Sequence, residues 1–353
     1  MSATRRSGHA VLLAVLRDRA RLKRFTDAEW SAFLTAAERA RLLPRLALEV
    51  EQLGLSFEAP WWALDRLAAA RVKGRQYERE IRWEIGCVRR ALSSAGVDPV
   101  FLKGAAYVAA GLACGVGRVV ADLDILVDEV DIPVVEKALH GHGWEFEPLE
   151  KYDERYYREW MHELPPMRHR ERGTMLDVHH RILPRTGRIH PPTRRLLEKS
   201  TSIGGVRVLS PSHRLLHACA HLFQDGEVAG SLRDLVDIAT LGEGDAMFWR
   251  DVASEAESLQ LGRSLYYATR YVRRLGLGAL PSAAGECAAC WAPAAPVGGL
   301  MDALVGASLR PETAMSRPAS QLLVARAHWL KMPVSLLIPH LWSKVSRRAS
   351  GAP

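Results

Sequence analysis

From about residue 96 the apolar positions stop recurring at helical spacing and fall into short runs. Val100, Phe101 and Leu102 predict a buried strand, Lys103-Gly104 a tight exit, and Ala105 to Leu112 a helix. Asp122 to Val127 predicts a second strand. Side chains alternate along a strand, so Leu123, Ile125 and Val127 face a core while Asp122 and Asp124 share the opposite face. Pro133 opens a predicted helix that ends at Gly141 or Gly143. Trp144 and Phe146 then alternate with Glu145 and Glu147, as in a half-buried strand, and Tyr152 to Met161 reads as helical. Residues 167–172, Gly173 and residues 174–180 predict a strand, a turn and a strand. In the second arm Asp177 and His179 share one face, and His180 points away.

The flanks keep helical spacing. Thr26 and Glu29 form a capping-box pattern, with Phe25 and Trp30 at the positions of a hydrophobic staple. Pro44 kinks or splits the next helical stretch, and a longer helix runs from near Pro60 through Ile81, Ile85, Val88 and Leu92 to a stop at Gly96. After the strands, Ser210-Pro211 starts a helix through His217 and His221, and another carries Leu232, Leu235, Val236 and Ala239. Residues 276–300, rich in Ala, Gly and Pro, predict a loop or linker. The last segment, with Trp329, Leu330, Leu336, Leu337, Leu341 and Trp342, packs on the body or lies against a membrane surface. Pro333 and Pro339 interrupt any long amphipathic helix there and favour packing. The resulting division is a helical region over 1–95, a strand-containing core over 96–185, a helical region over 186–275, and a loop with helices over 276–353.

Composition narrows the class. The 353 residues, 48% hydrophobic and 25% charged, describe an ordinary globular chain rather than a disordered one. The net charge of +8 favours phosphorylated or polyanionic partners without singling out nucleic acid, since the excess gathers at the two ends, from Arg5 to Arg24 and from Lys344 to Arg348. Five scattered cysteines, Cys87, Cys114, Cys219, Cys287 and Cys290, argue against a disulfide framework and for a reducing cytoplasm. The apolar run Ala10 to Leu16 is too short to span a membrane and lacks a cleavage site, so neither a transmembrane helix nor a signal peptide is expected.

Two carboxylates on one strand face repel each other unless a cation lies between them, and hard oxygen donors at that spacing suit Mg²⁺ carrying a phosphate chain. Solvated aspartates at a strand start would give the same pattern. Lys103, Gly104 and Arg118 offer close backbone approach and positive charge for phosphate oxygens, and Asp177 offers a further carboxylate. His217 and His221 lie four apart on a helix, yet Ala218 stands where the zincin pattern needs a glutamate. Cys287 and Cys290 form a lone CxxC without a second pair. His179 fits a structural hydrogen bond as well as a catalytic one. Arg233 and Asp237 fit a cleft lining or an ordinary helix-surface ion pair.

The run LKGAA, then Arg118, DLDILV, a helix and Gly-Trp, HELPP at His162 to Pro166, LDVHH at Leu176 to His180, and the later HACAHLF and LRDLVDIA together resemble the uncharacterised nucleotidyltransferase family within the DNA polymerase beta-like superfamily, over about residues 98–240. The resemblance implies an α+β fold, a polymerase beta-like nucleotidyltransferase core with a small mixed β-sheet between N- and C-terminal helical regions. It implies two divalent ions, Mg²⁺ or Mn²⁺, on Asp122 and Asp124, with Asp177 as third carboxylate helping to activate an acceptor hydroxyl. That hydroxyl attacks a nucleoside triphosphate and expels pyrophosphate. His162, His179, His217, His221, Arg233 and Asp237 are the further cleft residues expected. The superfamily commonly has Gly-Ser after its first strand, whereas this chain has Lys103-Gly104-Ala105; the family itself usually carries Lys-Gly. The acceptor expected from the resemblance is a small molecule, peptide or protein. A non-catalytic nucleotide- or peptide-binding accessory on the same fold, and an RNA-directed protein, are the competing readings.

Overall fold

The computed structural model describes residues 7–54, 59–224, 228 and 230–337. Four helices come first: α1 (Gly8–Arg17), α2 (Asp27–Arg39), α3 (Leu43–Gln52) and α4 (Trp61–Ser93). The capping box at the start of α2 is formed, and the Phe25 and Trp30 rings meet edge to face at 5.5 Å. Pro44 falls in the first turn of α3, where its missing N–H costs nothing, so the helical pattern is split rather than kinked.

The middle of the chain alternates strands and helices: β1 (Val100–Phe101), α5 (Lys103–Ala109), β2 (Asp122–Leu126), α6 (Ile132–Gly141), β3 (Trp144–Phe146), α7 (Lys151–Trp160), β4 (Met167–His169), β5 (Met175–His179), α8 (Thr193–Glu198), β6 (Thr201–Ile203) and β7 (Val206–Val208). One seven-stranded mixed sheet results, in the order β3-β4-β5-β2-β1-β7-β6. β2 lies at its centre, antiparallel to β1 and parallel to β5, with Asp124 directly opposite Asp177. The protein is therefore α+β, as its sequence predicts.

The rest is helical: α9 (Pro211–Gln224), α10 (Leu232–Leu241), α11 (Ala246–Ser258), α12 (Gly262–Leu275), α13 (Ser282–Ala289), α14 (Ala295–Ser308) and α15 (Ser316–Lys331). Two cores form. One packs α1–α3, the first half of α4 and the C-terminal helices. The other packs one sheet face against α5, α6 and the second half of α4, with Leu123, Ile125, Leu176 and Val178 at its centre. The 33-residue α4 belongs to both, through Leu67 and Ala70 in the first and Ile85 and Val88 in the second.

Three expectations are corrected. Residues 276–300 contain α13 and the start of α14 rather than only a loop: alanine is the strongest helix former, and Pro281 and Pro296 stand at or just before helix starts, where proline is tolerated. The hairpin β6–β7 escaped the sequence reading, although Gly204-Gly205, both at positive φ, is a two-residue hairpin turn signal. The helix after β1 begins at Lys103, two residues early, because Lys103 itself turns the chain at φ 44°. In the C-terminal segment α15 packs on α14, and Arg188 stacks on the partly exposed Trp329 ring at 3.7 Å; Leu341 and Trp342 lie outside the described residues.

A buried ion network joins the two cores. Arg45 of α3 donates to Asp237 of α10 at 3.1 Å and to Glu49 at 2.8 Å, while Arg118, in the segment leading into β2, is held by the same Asp237. Gly117 makes this approach possible: it has φ +61°, and a Cβ there would lie 2.8 Å from the Arg45 backbone nitrogen. Removing the shared carboxylate would take from buried Arg118 its closest counter-charge and leave buried Arg45 with Glu49 alone. Asp237→Ala is expected to lower unfolding free energy by about 3–5 kcal/mol, and Asp237→Asn, which keeps an acceptor, by less, as read by urea denaturation. A change below about 1 kcal/mol for Asp237→Ala would contradict this role.

Candidate active site

Alternation along β2 sends Leu123 and Ile125 into the core and Asp122 and Asp124 into a cleft of about 390 Å³. Asp122, Asp124, Asp177, Lys103, Gly104, Arg118, His162, His221, Arg233 and Asp237 all line it. The structure thus gathers around one cavity residues spread over more than a hundred positions. His179 is fully buried directly beneath, reaching Asp124 from β5. His217, one turn before His221 on α9, is buried behind the wall; burial and the nearby Lys103 ammonium press its pKa down to about 3, so it is neutral.

Asp124 is 2% exposed and its Oδ1 receives two donors, Lys103 Nζ at 2.7 Å and His179 Nε2 at 3.0 Å. Burial alone would raise this carboxyl; the two partners outweigh it and hold Asp124 well below the usual carboxylate range. In return, burial works against the Lys103 ammonium but Asp124 keeps it above the ordinary lysine range. Local chain geometry sets up this contact. Lys103 sits in the left-handed region just after β1, and a Cβ on Gly104 would lie 2.8 Å from Val120 Cγ2 and 2.9 Å from Arg118 Nε. Only glycine lets the chain pass there, and the turn aims Lys103 across to β2.

Behind His179, the HELPP run zips onto β5: Leu164 N donates to Val178 O at 2.9 Å and His180 N to His162 O at 2.9 Å. This brings Glu163 Oε2 to 3.3 Å from His179 Nδ1 and 3.8 Å from His162 Nε2. His179 carries opposing influences, burial lowering its pKa and Asp124 and Glu163 raising it, with the raising side prevailing. His180 points the other way, as alternation requires, with Nδ1 4.0 Å from Glu129.

Arg118 lines the cleft, but its guanidinium is committed to Asp237 and also covers the Tyr107 ring at 5.1 Å. It braces the wall. Arg233 donates to the Val119 carbonyl at 3.3 Å and stands 3.4 Å from Asp234, so it holds the same segment from the other side. Among the lining residues that sequence reasoning did not place in the site are the charged Glu163, Arg41 and Lys331. Glu163 was legible as the acidic neighbour of His162 in HELPP; Arg41, at φ 55° after α2, and Lys331, ending α15, carry no local signal. Cys287 and Cys290 lie apart on α13 and its end as free thiols. Among the described residues no helix is long and apolar enough to cross a membrane.

Residues 26–276, well over half of the chain, match the family described as uncharacterised nucleotidyltransferase, and the chain belongs to that family. No curated protein and no solved structure matches it.

The negative charge of the cleft falls hardest on Asp177. Burial, then Glu163 and Asp124, push its pKa up to about 7. An aspartate in the unfolded chain titrates near ~3.9, so between about pH 4 and about 7 the native state holds a proton that the unfolded state releases. The associated stability is complete below that window and is lost as the pH rises through it. In metal-free protein, Asp177→Asn is therefore expected to gain stability over wild type as the pH goes from about 5 to about 8, measured by urea unfolding at each pH. Parallel pH profiles for the two proteins would contradict the assignment.

Proposed function

We propose that this family member transfers a nucleoside monophosphate from a nucleoside triphosphate to a hydroxyl on a small molecule, peptide or protein, releasing pyrophosphate. The observation that carries the reading is the parallel register of β2 and β5, which sets Asp124 opposite Asp177 with Asp122 beside them in one cleft. Its volume, about 390 Å³, lies in the range of small-molecule sites, roughly 300–1,000 Å³.

Divalent ions fit the donors present. Asp122, Asp124 and Asp177 are hard oxygen ligands, and the Asp177 carboxyl, raised by burial and then by the neighbouring Glu163 and Asp124 charges, is a group that a bound cation would favour in its ionised form. Mg²⁺ or Mn²⁺ held there supplies Lewis-acid stabilisation of phosphoryl oxygens. The chain's own residues do the remaining work. Lys103 turns from Asp124 toward a phosphate oxygen, keeping a charge that its half-buried setting strengthens. Arg41 and Lys331 at the cleft offer further cations for the triphosphate, while Arg118 and Arg233 hold the segment before β2 in place. Asp177 accepts the acceptor's proton as its oxygen bonds the α-phosphorus; the bond from that phosphorus to the bridging oxygen breaks, and its electron pair leaves with pyrophosphate.

Asp122 is the cleaner test position, being only partly buried and outside the Lys103 and His179 contacts. With labelled ATP, CTP, GTP or UTP, Mg²⁺ or Mn²⁺ and an acceptor panel, pyrophosphate release is expected to fall at least about 10²-fold in Asp122→Asn and in Asp124→Asn. Asp122→Asn is expected to keep its unfolding free energy within about 0.5 kcal/mol of wild type. Metal-dependent turnover unchanged in both variants would overturn the reading.

A further inference from the structure

The histidines and glutamate behind the carboxylates form a donor set of their own. His162, Glu163 and His179 each present one ligand atom, and the three atoms lie within 4.8 Å of one another. Two of the separations are 3.3 Å and 3.8 Å. A tetrahedral ion with bonds near ~2.1 Å needs its donors about 3.4 Å apart, so small side-chain rotations complete the triangle.

A second observation points to a ligand. His179 is 1% exposed, and its Nδ1 makes no hydrogen bond; the Glu163 contact at 3.3 Å lacks the geometry of one. Its other ring nitrogen is spent on Asp124 Oδ1 at 3.0 Å. That is the arrangement in which a carboxylate fixes the tautomer of a metal-binding imidazole and leaves the second nitrogen to the ion. The backbone is prepared for it too, since Glu163 and His179 face each other in an antiparallel bridge.

We propose that His162, Glu163 and His179 bind a divalent transition-metal ion of the zinc class, at a site separate from the carboxylates Asp122, Asp124 and Asp177. Two imidazoles and one carboxylate favour such ions over Mg²⁺, which prefers an all-oxygen shell. The ion locks the His179 ring, and His179 Nε2–H then holds Asp124 in one orientation toward the cleft. The site thus supports the nucleotide-side carboxylates without being one of them. Its existence does not depend on the transferase reading.

Co²⁺ is the probe, because its absorption reports nitrogen and oxygen donors directly. Full-length protein at about pH 8, where protons compete least for imidazole, is titrated with Co²⁺ in the absence of nucleotide. A saturable absorption change with one equivalent is expected, weakened at least about tenfold by Glu163→Gln and by His162→Asn, and retained in Asp122→Asn. Zn²⁺ should displace the Co²⁺, and millimolar Mg²⁺ should not. Circular dichroism and urea unfolding confirm that the variants are folded, and Glu163→Gln, being isosteric and only partly buried, preserves the test if His162→Asn does not fold. Absent saturable binding, binding unaffected by Glu163→Gln, or equal displacement by Mg²⁺ would each overturn the site. The transferase reading would survive any of these outcomes, since it is read from pyrophosphate release.

Discussion

The cleft depends on one buried carboxylate. Asp124 sits at the centre of the sheet with almost no contact with solvent, and it stays charged because Lys103 and His179 both bond the same oxygen. Each partner arrives by a different route. Lys103 comes from the turn after β1, which exists because Lys103 accepts a left-handed conformation and Gly104 lacks a side chain. His179 comes from the far end of β5, brought alongside by the parallel register. Losing either contact leaves a charge in a low-dielectric place, so the turn, the register and the carboxylate hold one another fixed.

A second buried network does the same for the cleft wall. Arg118 and Arg45 share Asp237, so the segment before β2 is tied to α10 and to α3. The Arg118 guanidinium, expected from the sequence at a phosphate, is engaged by Asp237 at the cleft wall, and Lys103, Arg41 and Lys331 line the same cleft. The long α4 ties the two cores beneath. Positive charge around the cleft is therefore built from distant parts of the chain, while the three central carboxylates, Asp122, Asp124 and Asp177, come from two adjacent strands.

This division explains what the sequence revealed. Period-two alternation put Asp122 and Asp124 on one face and Asp177 with His179 on another, and the parallel pairing of β2 with β5 merges those faces. Gly104 is legible as a turn residue; that a Cβ there would strike Val120 and Arg118 is not, because those contacts cross the fold. Arg41 and Lys331 were illegible for the same reason. The helices at 282–308 were missed where Gly and Pro were read as breakers although alanine dominates and the prolines sit at helix starts. Glu163 is legible as part of HELPP, but its role becomes visible only where that run zips onto β5.

The central claim is that Asp122, Asp124 and Asp177 hold divalent ions beneath a triphosphate that Lys103 also contacts. A crystal structure of the full-length protein with Mg²⁺ and a non-hydrolysable nucleoside triphosphate analogue tests it most directly. The account predicts metal density between the three carboxylates, the phosphate chain over the Lys103-Gly104 turn, and Lys103 Nζ moved from Asp124 onto a phosphate oxygen. A nucleotide bound outside this cleft, or one bound within it while Lys103 remains on Asp124 and no metal touches the carboxylates, would contradict it.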